Sequence, residues 1–98
     1  MLHIVNKSPL ERPSLAACLR IAGGGTILLI EDAVVAAVRG TAVEPQVREA
    51  LGRFRIVALR PDLDARALGD RVIEGIATVD YAGFVDLVAE HRNCQSWL

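Results

Sequence analysis

The side chains that stand out for covalent or nitrogen-base chemistry are few: Cys18 and Cys94, His3 and His91, and Lys7, the single lysine. The two cysteines lie far apart and form no C-x-x-C pair, so they do not read as a disulfide framework or a paired redox motif. With only two histidines beside them, a zinc site has little to draw on, and neither a metal nor a cofactor is expected. What remains is thiol chemistry. That requires a thiolate within reach of a donor, because the thiolate and not the thiol is the nucleophile.

Cys18 is the candidate. Arg12, Arg20 and the positive end of a helix starting near Ser14 would lower its pKa. The opposing reading is equally physical: Cys18 falls in the apolar stripe Leu15, Cys18, Leu19 and Ala22, at i, i+3, i+4 and i+7, where a small buried hydrophobe belongs. Cys94 sits in the polar tail Arg92-Asn93-Cys94-Gln95-Ser96 and is expected to be exposed and incidental. His91, near the end of the last helix, is placed to satisfy the helix dipole. His3 reads as a core or strand-edge histidine, and Lys7 as a solvated residue after the first strand. Trp97 either packs on a sheet edge or docks in a partner.

These residues must be positioned by alternating strands and helices. Apolar runs at Leu2 to Val5, Thr26 to Ile30, Arg55 to Leu59 and Ile76 to Val79 are nearly continuous, as suits parallel strands covered on both faces. Gln95 to Leu98 would add an edge strand. Ser14 is expected to cap a helix to about Ala22, stopped by Gly23-Gly24-Gly25. Ser8-Pro9-Leu10-Glu11 has the form of a capping box, kept apart from that helix by Pro13. Asp32 is expected to cap a helix from Ala33 to Arg39. Pro45 begins another, and Asp62 to Leu68 makes a helical turn. The last helix, about Asp80 to Arg92, is expected to bury Tyr81, Phe84, Val85 and Val88 while Asp86 and Glu90 face water. Strand and helix alternate throughout, so the fold class is α/β, one domain over residues 1–98 with a mainly parallel sheet of four to five strands.

In such a sheet, ligands gather beyond the carboxyl ends of the strands. Those ends carry Asn6-Lys7-Ser8, Glu31-Asp32, Arg60-Pro61-Asp62 and Asp80, a polar rim for which helix capping by Ser8, Asp32 and Asp80 is a sufficient account. The triple glycine lies at the opposite end from a phosphate loop, and no G-x-G-x-x-G or Walker pattern occurs. A nucleotide- or flavin-binding role therefore rests on fold analogy alone. The net charge of −1, from 11 basic and 12 acidic residues without a basic block, gives no nucleic-acid surface. No apolar run approaches membrane-spanning length and the first residues lack the order of a signal peptide, so a cytoplasmic location is expected. No nucleophile, base and orienter form a hydrolytic set.

Beyond these patterns the sequence resembles a known family. Met1-Leu2-His3-Ile4-Val5-Asn6-Lys7-Ser8-Pro9 with Cys18-Leu19-Arg20 is similar to the opening of the DsrH/TusB family. So are Leu28-Leu29-Ile30-Glu31-Asp32-Ala33-Val34 with Ala36-Ala37, then Val79 to Leu87, and the closing Gln95-Ser96-Trp97-Leu98. The resemblance implies a three-layer, flavodoxin-like α/β/α domain. It implies a subunit that assembles with DsrE- and DsrF-like (TusD- and TusC-like) paralogues into a heterohexamer, passing persulfide sulfur to a small carrier of the DsrC/TusE type. In the Dsr branch the sulfur enters cytoplasmic sulfur oxidation, and in the Tus branch 2-thiouridine of tRNA. The main acceptor cysteine belongs to the DsrE/TusD-like subunit. Cys18 matches a first-helix cysteine of DsrH-like members that TusB-like members generally lack, which favours the Dsr branch. The expectation is a sulfur-transfer subunit with its site at Cys18, or else a structural subunit in which Cys18 is inert.

Overall fold

The computed structural model describes residues 1–97. Its strands are β1 (Leu2–Val5), β2 (Gly25–Leu29), β3 (Phe54–Leu59), β4 (Ala77–Val79) and β5 (Cys94–Trp97). They form one sheet in the order β4-β3-β2-β1-β5, and every pairing is parallel. The expected fifth strand is present, although Leu98, which was assigned to it, lies outside the described residues.

Strand order decides where the helices go. From β1 to β4 the chain steps one way across the sheet, and from β4 to β5 it returns past β1. Parallel crossovers are right-handed, so the first three connections share one side of the sheet and the last takes the other. On the first side lie α1 (Ser14–Ile21), a 3-10 helix (Glu31–Ala37), α2 (Glu44–Ala50) and α3 (Arg60–Ala65); α4 (Tyr81–Glu90) lies on the second. The three layers are those of a flavodoxin-like domain, but this order differs from the flavodoxin order 2-1-3-4-5.

The core divides accordingly. Val5, Ile27, Leu29, Ile56 and Ala58 belong to a large cluster with Leu15, Cys18 and Leu19 of α1, Val34 of the 3-10 helix, Val47 of α2 and Leu63 of α3. Leu2, Leu28 and Val57 point the other way, into a smaller cluster with Leu87 of α4. Each of β1, β2 and β3 contributes to both, which is why their apolar residues run without alternation.

Several helix details depart from expectation. Ser14 does not cap α1: the N-cap is Pro13, no side chain caps the helix, and Ser14 is buried. Proline already has a helix-compatible φ and leaves no amide to satisfy at that point. Asp32 lies inside the 3-10 helix, whose N-cap is Ile30, because Glu31 takes a positive φ of 51° and turns the chain one residue earlier. Residues 8–11 form an isolated turn in which the Ser8 hydroxyl accepts from the Leu10 amide.

The glycine run does more than stop a helix, for α1 ends before it. At Gly25, with φ 113°, a Cβ would come within 2.6 Å of the Met1 carbonyl oxygen. The close approach of β2 to the start of β1 therefore requires glycine there.

The largest correction concerns α4. Its expected buried stripe faces outward: Tyr81 is 62%, Val85 65% and Val88 39% exposed, while Leu87 is 4% exposed and Phe84 is half-buried. The helix is apolar nearly all round, so periodicity does not select a face. Gly83 does. A Cβ there would meet that of Val79 at 2.8 Å, so the bare backbone at Gly83 settles on β4 and Leu87, one turn on, enters the core.

Candidate functional site

Cys18 is fully buried, in the larger core cluster beneath α1. The 3.6-residue turn places it on the same face as Leu15 and Leu19, 4% and 5% exposed, and that face meets the sheet. Arg12 and Arg20 are exposed, on the solvent side of the segment. The acidifying effect expected of them and of the helix end is absent. Burial instead pushes the Cys18 thiol up to about 11, since removal from water penalises the charged form. A thiol so placed is protonated at neutral pH and has no open path to a donor. Cys94, by contrast, is an exposed free thiol on the edge strand β5.

The polar rim forms along one edge as the parallel sheet requires, and its charged groups after β2, β3 and β4 make local structural bonds. Asp62 Oδ2 accepts the Glu31 amide at 2.6 Å, which holds the strained residue in place. Asp32 pairs with Arg66 at 2.8 Å, and Arg66 also donates to the Asp62 carbonyl. Together these bonds tie the 3-10 helix after β2 to α3 after β3. Arg60 donates to the Gly69 carbonyl and to the Thr78 hydroxyl, fastening β3 to β4 at the point where the crossovers reverse. Asp80 caps α4, accepting from the Gly83 amide at 2.8 Å. The capping roles expected of Ser8 and Asp80 are seen as a turn and a helix cap, and Asp32 is an ion-pair partner instead. Lys7 is exposed, and the shielded Asn6 Oδ1 has no hydrogen-bond partner.

His3 is buried, and its Nδ1 accepts from the Trp97 indole N–H at 3.1 Å. An acceptor at Nδ1 fixes the neutral tautomer with its proton on Nε2. Burial lowers the His3 pKa, against a smaller raising effect of the Gly24 backbone hydrogen bond. The pair is structural: it fastens β5 to β1, and Trp97 packs on the sheet edge against the larger core. His91 meets the Leu87 carbonyl at 2.7 Å, the helix-end role its position implied. Among the described residues, no three His, Cys, Asp or Glu side chains gather as metal ligands, and no helix is long and apolar enough to cross a membrane.

The molecule thus offers no assembled catalytic constellation among these residues. Its candidate thiol, Cys18, is sealed in the core, and its polar rim is largely a set of structural ties. The feature that residue patterns do not reveal is the exposed apolar face of α4, because helical periodicity places the same residues in the interior.

Residues 7–94 match the family model described as DsrH like protein. Among curated proteins, the chain is 34% identical over 97 residues to Protein TusB of Escherichia coli O81 (strain ED1a), covering 99% of this chain and 100% of that protein. It is 33% identical over 97 residues to Protein TusB of Shigella flexneri, with the same coverage. Among solved structures, the ychN protein from E. coli superposes with a TM-score of 0.83 at 17% identity, covering 97% of both chains. A protein of unknown function from Methanobacterium thermoautotrophicum gives 0.76 at 20% identity, over 97% of this chain and 95% of that one. These two likenesses concern the fold.

Proposed function

Since the chain belongs to the DsrH-like family, we propose that it is a non-carrier subunit of a cytoplasmic sulfur-relay complex. In this reading it assembles with DsrE/DsrF-like (TusD/TusC-like) paralogues, and the complex hands persulfide sulfur to a DsrC/TusE-like carrier. The sulfur rides on a paralogous subunit, while this chain supplies structure and a docking surface. The observation that carries the reading is the place of Cys18: fully buried, with a thiol raised to about 11. Persulfide transfer needs a thiolate that attacks the outer sulfur of a donor persulfide, expelling the donor's own thiolate. Neither ionisation nor approach is favoured at Cys18. The Tus name of the curated relatives supports an end use in tRNA thiolation over the sulfur oxidation that a first-helix cysteine had favoured.

A second reading, in which Cys18 itself carries sulfur, draws on its match to the first-helix cysteine of DsrH-like members. It requires α1 to lift from the sheet within the complex. Treating the assembled complex with a small-molecule persulfide and weighing each subunit separates the two. With Cys94→Ser to remove the exposed thiol, this chain is expected to gain no adduct of about 32 Da while a paralogous subunit gains one. An adduct on Cys18 in that complex would establish the carrier reading.

A further inference from the structure

The outer face of α4 is apolar, continuous and uncovered. Tyr81, Val85 and Val88 recur at i, i+4 and i+7 and are 62%, 65% and 39% exposed. Exposed Ala82 and Ala89 widen the stripe, and exposed Asp86 and Glu90 border it on one side. The helix has no lysine or arginine. The other large exposed apolar residues, Met1, Leu10 and Ile21, occur singly on separate segments, as on any soluble protein. A whole helix face is different, since contiguous apolar surface marks a contact. The layer around α4 is also incomplete. It is the one helix on its side of the sheet among the described residues. Toward the β5 edge, Ile4 is half-buried and Cys94 and Ser96 are exposed. The register puts all three on the α4 side, for Cys94 pairs with Leu2 and Ser96 with Ile4.

We infer that this face docks a non-identical subunit, one that presents an apolar helix or sheet face bordered by lysine or arginine. The inference rests on the reading of the chain as one member of a relay complex, and it assigns the surface used. Charge decides against a second copy. In a two-fold antiparallel pairing of α4 with itself, the same border meets on both sides. Asp86 and Glu90 would face their own copies with no cation from the helix between them. Parallel pairing sets the acidic border against the partner's apolar flank and aligns the helix dipoles unfavourably. A basic border opposite the acids removes both penalties and favours the correct partner.

Area sets the extent of the contact. A specific interface covers about 800 Å² per partner, which is about 15% of the 5296 Å² surface. The ten residues of α4 span only about 15 Å, so its stripe cannot supply that area alone. The partner must also reach the flank formed by Ile4, Ser96 and Cys94.

The test is co-expression of the full chain with its DsrE- and DsrF-like partner subunits. Val85→Arg, at an exposed position and expected to keep the wild-type circular dichroism spectrum, is expected to reduce complex recovery about tenfold or more. Ile21→Arg, a similarly exposed change on α1, leaves recovery unchanged. In the wild-type complex, alkylation of Cys94 slows about tenfold or more relative to the isolated chain. Full recovery of the Val85→Arg complex with Cys94 still reactive would overturn the assignment. So would dimerisation of the isolated chain that Val85→Arg abolishes, since the occupant would then be a second copy. If the wild-type chain fails to join either subunit, the relay-subunit reading falls and this inference with it.

Discussion

Cys18 should be chemically silent in the folded protein, and the size of the effect can be worked from its surroundings. Raising the thiol from 9.0 to about 11 lowers its thiolate fraction at neutral pH about 100-fold. The residue is also 0% exposed, so a reagent must wait for α1 to open. An opening that costs about 3 kcal/mol restricts reaction by a further route of comparable size, about 100-fold. Whichever path dominates, alkylation of Cys18 by iodoacetamide should run at least about 100-fold slower in the native chain than in urea. Intact mass should show one adduct quickly, on Cys94, and a second only on unfolding. The same burial makes a pH prediction. The folded pKa is raised, so above pH 9.0 the unfolded chain loses this proton first. Stability is therefore complete below 9.0 and declines as pH rises through about 11. Cys18→Ala should lose that alkaline slope while costing about 1 kcal/mol at neutral pH for the missing sulfur. Native-state labelling of Cys18 at the rate of Cys94 would refute the reasoning at its root.

The orientation of α4 can be tested by truncation. Leu87→Ala should cost about 2–5 kcal/mol in urea unfolding because Leu87 is 4% exposed, whereas Val85→Ala, at 65% exposure, should change stability by under about 0.5 kcal/mol. Asp80→Ala removes the carboxylate that accepts the Gly83 amide and should cost about 0.5–2 kcal/mol, with Asp80→Asn retaining most of it. His3 has a folded pKa held below 6.5, so the unfolded chain takes up a proton first as the solution is acidified. Its contribution is present above 6.5 and is lost as pH falls through the lowered value. His3→Phe should flatten that part of the acid limb, read through the fluorescence of Trp97, its hydrogen-bond partner.

Element type was largely legible in the residues. Continuous Ile, Val and Leu runs locate β1, β2 and β3 because a strand buried on both faces needs an apolar side chain at nearly every position. The stripe Leu15, Cys18 and Leu19 located α1 and its inward face, since few other apolar side chains competed there. The same logic failed on α4. Tyr81, Val85 and Val88 fit a stripe as well as Leu87 does, and the absence of a side chain at Gly83, not the apolar pattern, fixed the helix rotation. The capping roles expected of Ser14 and Asp32 fall to other residues for a related reason. Capping is a competition among neighbours, and Pro13 and the positive φ of Glu31 prevailed locally.

The candidate site shows the same division. That Cys18 was the thiol to consider followed from residue identity and family resemblance. Its proximity in sequence to Arg12 and Arg20 pointed to a lowered pKa. Proximity along a chain does not fix distance from water, and burial determined the sign of the shift.

The sequence by itself determined a parallel α/β domain of the DsrH-like family with a single thiol on its first helix, because periodicity and residue identity are local properties. Tertiary structure alone decided the order β4-β3-β2-β1-β5, the protonation of Cys18 and the outward face of α4. Those depend on which surfaces meet across the sheet and exclude water, a relation between residues far apart in the chain.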